Sequence, residues 1–176
     1  MSKSLSFTYV DLFAGCGGLS LGLESQGGNL LVAVERSEMA AETFFHNLVR
    51  PVTSKDQWIK YVSQTTEKQV EEGVLVKELR ALLDSKEAMK LVVDGKPDLV
   101  VGGPPCQGFS LAGRRNPEDI RNQLPWQFLE LVERSKPKMV IIENVVGMRH
   151  KFSANDDGDV FNQLQQALRE TEPGYV

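Results

Sequence analysis

The residue of this sequence best situated for covalent chemistry is Cys106. An apolar run from Asp98 to Val101 reads as a buried strand, and Gly102-Gly103-Pro104-Pro105 stops it abruptly. A thiol at the end of a buried parallel strand lies where open α/β sheets keep their chemistry. The prolines fix the backbone just before the cysteine and remove its donors. Taken alone, a cysteine after a strand is more often a small buried side chain beside a turn. A second run, Met139 to Ile142, ends at Glu143, a carboxylate at another strand end that could also cap the following turn. A third apolar run, Thr8 to Phe13, opens into the glycine loop Ala14 to Gly18, and Glu35 follows 20 residues after Gly15, at the end of the next strand. Gly15 and Gly17 let backbone turn sharply and approach a ligand, and an acid at that distance can take ribose hydroxyls. The dinucleotide fingerprint is not completed, because Ser20 occupies its last glycine position.

Three stretches in order carry a resemblance. Gly102-Gly103-Pro104-Pro105-Cys106-Gln107-Gly108-Phe109-Ser110 resembles the nucleophile motif of the DNA cytosine-5 methyltransferases. Asp11-Leu12-Phe13-Ala14-Gly15-Cys16-Gly17-Gly18 resembles their cofactor loop, and Glu143-Asn144-Val145 their acid motif. The resemblance covers nearly the whole chain but only the N-terminal part of a usual family member. It implies S-adenosylmethionine as cofactor, held by Phe13, Ala14, Gly15, Cys16, Gly17, Gly18, Glu35 and Pro104. Glu78, in Glu78-Leu79, is the nearest match to the family's acid beside the adenine amino group, and a solvated helix face accounts for it equally well. The catalytic pair that the resemblance implies is Cys106, whose thiolate would add to cytosine C6, and Glu143, which would meet N3. Such an acid needs a raised pKa, which burial at a strand end could supply.

The target atoms cannot be reached inside a duplex, so the base must be flipped out. The loop 107–122 is expected to be mobile and to close over it. Pro105 and Asn144 are assigned to the substrate side, Pro105 through its carbonyl and Asn144 by holding its loop. Ser110, Arg114, Arg115 and Arg121 suit phosphates. Between Gly113 and Lys151 there are eight Lys/Arg against five Asp/Glu, a local charge of 8 − 5 = +3.

These residues must be positioned by alternating strands and helices. Strands are expected at Thr8–Phe13, Asn29–Val34, Pro97–Val101 and Met139–Ile142, with helices at Leu19–Ser25, Ser37–Leu48, Val76–Met89, Leu124–Arg134 and Val160–Leu168. Ser37 is expected to cap its helix, with Met39, Phe44 and Leu48 on or near the apolar stripe. Residues 51–73 are polar and mixed in charge, and read as an insertion or long loop holding a short helix near Trp58 to Val62. The pattern implies an α/β fold: an open, mostly parallel, Rossmann-like methyltransferase sheet, incomplete at its C-terminal side.

The chain has 176 residues, one domain by length, and 1–176 reads as a partial catalytic domain. Its net charge of −4 is a poor electrostatic footprint for holding DNA unaided. The two cysteines, Cys16 and Cys106, both fall in motifs, so no disulfide framework is implied. Met1 to Phe7 lacks a basic-then-apolar leader pattern, and no apolar run approaches a membrane span, so a bacterial cytoplasmic or nucleoid-associated setting is expected. The expected function is methylation of cytosine C5 in double-stranded DNA, as in restriction–modification. The family's arginine motif, target-recognition region and C-terminal helix are not matched, so a C-terminal segment or second polypeptide is expected to supply target recognition. A tRNA cytosine methyltransferase and a non-catalytic remnant that only binds a partner or cofactor remain open alternatives.

Overall fold

The computed structural model describes residues 6–105, 123–143 and 160–175. In chain order these form β1 (Phe7–Leu12), α1 (Gly18–Ser25), β2 (Gly28–Val34), α2 (Glu38–Phe44), α3 (Lys55–Val62), α4 (Thr66–Glu71), β3 (Val74–Leu75), α5 (Leu79–Asp84), α6 (Lys86–Asp94), β4 (Leu99–Gly102), α7 (Leu124–Ser135), β5 (Met139–Ile142) and α8 (Val160–Glu170). The five strands pair in the order β3-β2-β1-β4-β5, and every pair is parallel.

The strands are near-continuous apolar runs because helices cover both faces of a parallel sheet. Along β1, alternate residues face opposite layers. Val10 and Leu12 join Val32, Val34 and Val100 against Leu79, Leu82 and Leu83 of α5, Met89 and Val92 of α6, and Phe128, Leu131 and Val132 of α7. Leu164 of α8 is buried, and Leu168 packs on this core. On the other face Tyr9 packs with Leu99 and Val101 beside Leu23 of α1. Ala33 and Val74 pack under Ala41 and Phe44 of α2.

Several elements depart from the sequence expectation. Residues 51–73 hold two capped helices: α3 covers the short helix expected near Trp58 to Val62, and α4 replaces part of the expected loop. The Ser54 hydroxyl accepts the Gln57 N–H, and the Thr65 hydroxyl accepts the Lys68 N–H. Trp58 and Tyr61 stack with centroids 5.4 Å apart, Phe45 lies 4.4 Å from the Tyr61 ring, and the Tyr61 hydroxyl donates to Val74 O at 2.5 Å. This aromatic cluster fastens α3 to the β3 edge of the sheet.

The expected helix 76–89 is divided between α5 and α6, because Ser85 is extended and its hydroxyl accepts the Ala88 N–H. Ser37 precedes α2 but makes no side-chain cap, Met39 is exposed, and the helix closes in a π turn over Phe45–Val49. The predicted loops 107–122 and 146–157 and the side chain of Phe161 lie outside the described residues.

Gln69 is a buried polar side chain with every function used. Its amide nitrogen donates to Val62 O at 2.9 Å and also reaches the Tyr61 and Gln64 carbonyls, while its oxygen accepts the Val76 N–H at 2.8 Å. Gln69→Leu keeps the volume but removes the acceptor of the Val76 N–H and the donor to Val62 O, while Tyr61 O keeps the Gln64 N–H. At about 1–3 kcal/mol for a buried polar group left unsatisfied, we expect a total loss of roughly 2–4 kcal/mol, read from the urea midpoint. A loss below about 1 kcal/mol would show that water replaces the amide.

Candidate active site

The candidate site lies at the carboxyl ends of the parallel strands, outside the sheet. As β1 ends, Phe13 takes a left-handed φ of 59° and Gly15 one of 56°. Ala14 N–H returns to Val34 O at 3.1 Å, and Gly17 N–H to Ala14 O at 3.0 Å. Gly17 is buried with φ 92°, and a β-carbon there would stand 2.5 Å from Leu48 Cδ1 and 2.9 Å from Phe44 Cδ2. Only glycine lets α1 start against α2 in this way. Cys16 and Gly18 are exposed on the outer turn of the loop.

Glu35 locks this loop. Its N–H donates to Leu75 O at 3.0 Å, continuing the β2–β3 ladder past the strand. One carboxylate oxygen accepts Gly15 N–H at 3.0 Å and the other accepts Ser37 N–H at 2.7 Å. The Ser37 contribution is therefore its backbone amide, not the hydroxyl cap expected from sequence.

Beside the loop opens a cleft of about 270 Å³. Phe13, Glu35, Glu78 and Pro105 line it, and Leu79, Leu124 and the nearly buried Gln127 complete its wall. Pro104 is buried beneath and is not part of the lining. Glu78 precedes α5, exposed, and pairs with Arg36 at 3.5 Å; both line the cleft mouth. Sequence reasoning missed Arg36, Lys77, Arg80, Gln123, Leu124 and Gln127. Arg36 was discoverable as the neighbour of Glu35; the others come from α5 and α7 or the residues just before them, Lys77 and Gln123, and the approach of these segments to the cleft is a tertiary fact.

At the other edge, β5 brings Glu143 beside β4. Its N–H donates to Gly102 O at 2.9 Å. Its carboxylate oxygen Oε2 stands 2.8 Å from where a β-carbon of Gly103 would be, so the acid rests on bare backbone at the root of the Pro104-Pro105 turn. The Glu143 residue is exposed rather than buried at its strand end. Cys106, Ser110, Arg114, Arg115, Arg121 and Asn144 lie outside the described residues. What the structure brings together around one cleft is Phe13, Glu35, Glu78 and Pro105; Ala14, Gly15, Cys16, Gly17 and Gly18 are not in its lining and stand beside it, braced on Glu35 through Gly15 N–H, and Glu143 lies against the turn that leads to Cys106.

A doubly wound parallel sheet with a glycine loop after its first strand and an acid after its second is a Rossmann-like, nucleotide-cofactor class of domain. A family model of C-5 cytosine-specific DNA methylases matches residues 7–175, and the chain belongs to that family. It is 36% identical to the type II methyltransferase M.HindV of Haemophilus influenzae, over 88% of this chain and 42% of that protein. It is 34% identical to M.HgiGI of Herpetosiphon aurantiacus, over 77% of this chain and 88% of that one. A crystal structure described as a DNA modification methyltransferase encoded within an E. coli prophage superposes with a TM-score of 0.64 at 28% identity, over 93% of this chain and 38% of that chain. No helix among the described residues is long and apolar enough to cross a membrane.

Proposed function

We propose that this chain is the cofactor-binding and catalytic part of a DNA cytosine-5 methyltransferase of the restriction–modification kind. One observation carries the reading: glycine loop, Glu35, Pro105 and Glu143 come from four separate chain segments and gather at one end of one sheet. The residues present suit S-adenosylmethionine: Phe13 and Leu79 offer an aromatic ring and an apolar wall, Glu35 lines the opening, and in the loop beside the cleft nothing stands within 4 Å of a β-carbon at Gly15. When bound, that cofactor supplies a sulfonium methyl group that an activated C5 can accept.

The remaining chemistry belongs to this chain. Ala14, Gly15, Cys16, Gly17 and Gly18 offer backbone to the cofactor's methionine end, Phe13 its ring to the adenine, and Glu35 its carboxylate to the ribose hydroxyls. Pro104 holds the floor below. Cys106, as thiolate, forms the S–C6 bond, and the displaced π pair moves to C5. Glu143 donates a proton or hydrogen bond at N3, which draws charge from the ring as the thiolate adds. After C5 has gained its methyl, loss of the C5 proton to a base returns the electron pair, re-forms C5=C6 and expels the Cys106 thiolate. Pro105, Ser110, Arg114, Arg115 and Asn144 hold the extruded nucleotide and its phosphates. The chain spans 42% of M.HindV, and we assign target recognition to the part of such relatives that this chain does not span.

The test is transfer of labelled methyl from the cofactor to duplex DNA and, in parallel, to tRNA. Label in DNA supports the reading, label in tRNA alone changes the polymer, and cofactor binding without transfer to either supports a binding module. A companion experiment concerns Glu35. Glu35→Ala removes a carboxylate that both braces Gly15 and faces the cleft, and charge-assisted hydrogen bonds are worth roughly 1.5–3 kcal/mol. Calorimetry should find cofactor binding weakened about tenfold or more. An unchanged dissociation constant would reduce Glu35 to a structural brace.

A further inference from the structure

Asp11 is a carboxylate in a place that ordinarily excludes one. It lies in β1, fully buried, paired across the sheet with Ala33 and Val101, neither of which can offer a proton from a side chain. Its Oδ2 accepts the Ser20 hydroxyl at 2.6 Å. Its Oδ1 is buried and has no hydrogen-bond partner among the described residues. The same is true of the Tyr9 hydroxyl, two residues earlier on the same face of the strand, which lies near Ser20 and Glu24 but completes a hydrogen bond with neither.

Among the described residues, the groups around Asp11 offer no cation. β1 contributes Tyr9, whose pKa burial pushes up to about 12, α1 contributes Ser20 and Glu24, and the end of β2 contributes Glu35. Burial is the main force that raises the Asp11 carboxyl to about 6; the Ser20 hydrogen bond opposes it, and the charge of Glu35 adds to it.

The Asp11–Ser20 bond has a topological effect. It joins the penultimate residue of β1 to the first turn of α1, and the residues between its ends include the whole glycine loop. The loop is thus held by two carboxylates, at its root through Ser20 and at its tip through Gly15 N–H. A hydrogen bond to an ionised acceptor is roughly twice as strong as a neutral one.

We propose that Asp11 is the positioning residue of the glycine loop, and that its ionised form, gripping Ser20, sets the loop for cofactor and makes cofactor affinity depend on pH. This rests on the cofactor reading given above. The sign is fixed by linkage. Asp11 has a folded pKa above its unfolded one, so the fold is favoured below the ordinary aspartate range, and that advantage is lost as pH rises through about 6. Cofactor binding favours the ionised form, so affinity rises over the same window and levels above it. If binding lowers the Asp11 pKa by about one unit, the rise is roughly tenfold.

The experiment is a titration of the chain with S-adenosylmethionine and with its uncharged thioether product, from about pH 5 to about pH 7.5, with Asp11→Asn and Ser20→Ala alongside. Wild type should show the rise with both ligands. Asp11→Asn keeps an acceptor for Ser20 but cannot ionise, so it should bind at every pH as wild type does at the acid end. Ser20→Ala, which removes only a hydroxyl, should weaken binding and move the midpoint to higher pH, since the donor that lowers the Asp11 pKa is gone; this variant decides the matter if Asp11→Asn does not fold. Superimposable profiles for wild type and the variants, or a rise confined to the charged cofactor, would overturn the positioning role while leaving the cofactor reading intact. A wild-type chain that binds neither ligand at any pH would overturn both.

Discussion

Gly102→Ala should leave little folded protein. Gly102 closes β4 and pairs with Leu12 of β1, both strands having neighbours on each side. A β-carbon at Gly102 would fall inside the carbonyl oxygen of Leu12, which is backbone and cannot swing away. Leu12 is fully buried and pairs on its other side with Val34, while the Gly102 carbonyl holds the Glu143 N–H. Relief therefore requires parting the two central strands. Overpacking costs about 1–3 kcal/mol where side chains can adjust; here none can, and a loss above about 3 kcal/mol would consume much of a 5–15 kcal/mol total. Gly22→Ala is the control, because its β-carbon would meet nothing within 4 Å and a helical alanine is better than glycine by about 0.8–1 kcal/mol. Soluble yield and denaturation midpoint should separate the two variants widely. A Gly102→Ala chain as stable as the control would mean that the β1–β4 register is different.

The same residue shows why this fold is readable from sequence. The parallel strands are largely apolar runs: β2 ends at Glu35, β4 at Gly102 and β5 at Glu143, while β1 carries the buried Asp11 and β5, at the sheet edge, exposes Met139 and Ile141. β3 escaped because two residues, Val74 and Leu75, carry no period. In 51–73 the short helix near Trp58 to Val62 was legible, but the start of α3 and all of α4 escaped for a different reason. Their polar composition suggests a loop, yet Ser54 to Gln57 has the spacing of a capping box: Ser54 accepts the Gln57 N–H, while the Gln57 side chain reaches back past the N-cap to accept from Thr53 N–H at 3.0 Å. Their stability comes from Trp58 and Tyr61 on the β3 edge, and a contact so distant in sequence leaves no local mark. Ser85 splits α5 from α6 by capping, a function hidden inside an otherwise periodic stretch.

The site divides along the same line. Glycines with positive φ and an acid at a strand end are backbone requirements, so Gly15, Gly17 and Glu35 could be read in order along the chain. The wall of the cleft could not, since Leu124 and Gln127 reach it only because α7 packs under the sheet. Asp11 was read as a member of a motif, but its lone Oδ1 and its bond to Ser20 depend on the layer that α1 forms over β1. Glu143 was expected to be buried and is exposed, because β5 pairs with β4 alone among the described strands.

The second large effect concerns the chemical pair. Cys106→Ser is expected to abolish methylation while leaving cofactor affinity within a few-fold. A serine hydroxyl is ionised far less than a thiol and is a weak nucleophile toward C6, so the first covalent step fails. The cleft assigned to cofactor is built from Phe13, Glu35, Glu78 and their neighbours, and binding there does not need the thiol. Glu143→Gln should lower turnover by about 10²- to 10⁴-fold, the range for losing a positioned general acid. Glutamine keeps the shape that rests on Gly103, so the Pro104-Pro105 turn should hold and stability should change little. The two variants are measured together, by single-turnover transfer of labelled methyl to duplex DNA and by calorimetric titration of cofactor. If Cys106 and Glu143 act in one step, the double variant should be no worse than Cys106→Ser alone, since groups that work as a unit are not additive. Substantial turnover in Cys106→Ser would remove the covalent mechanism. A Glu143→Gln chain that loses cofactor binding in parallel with activity would make Glu143 part of the scaffold around the turn rather than an acid at the base.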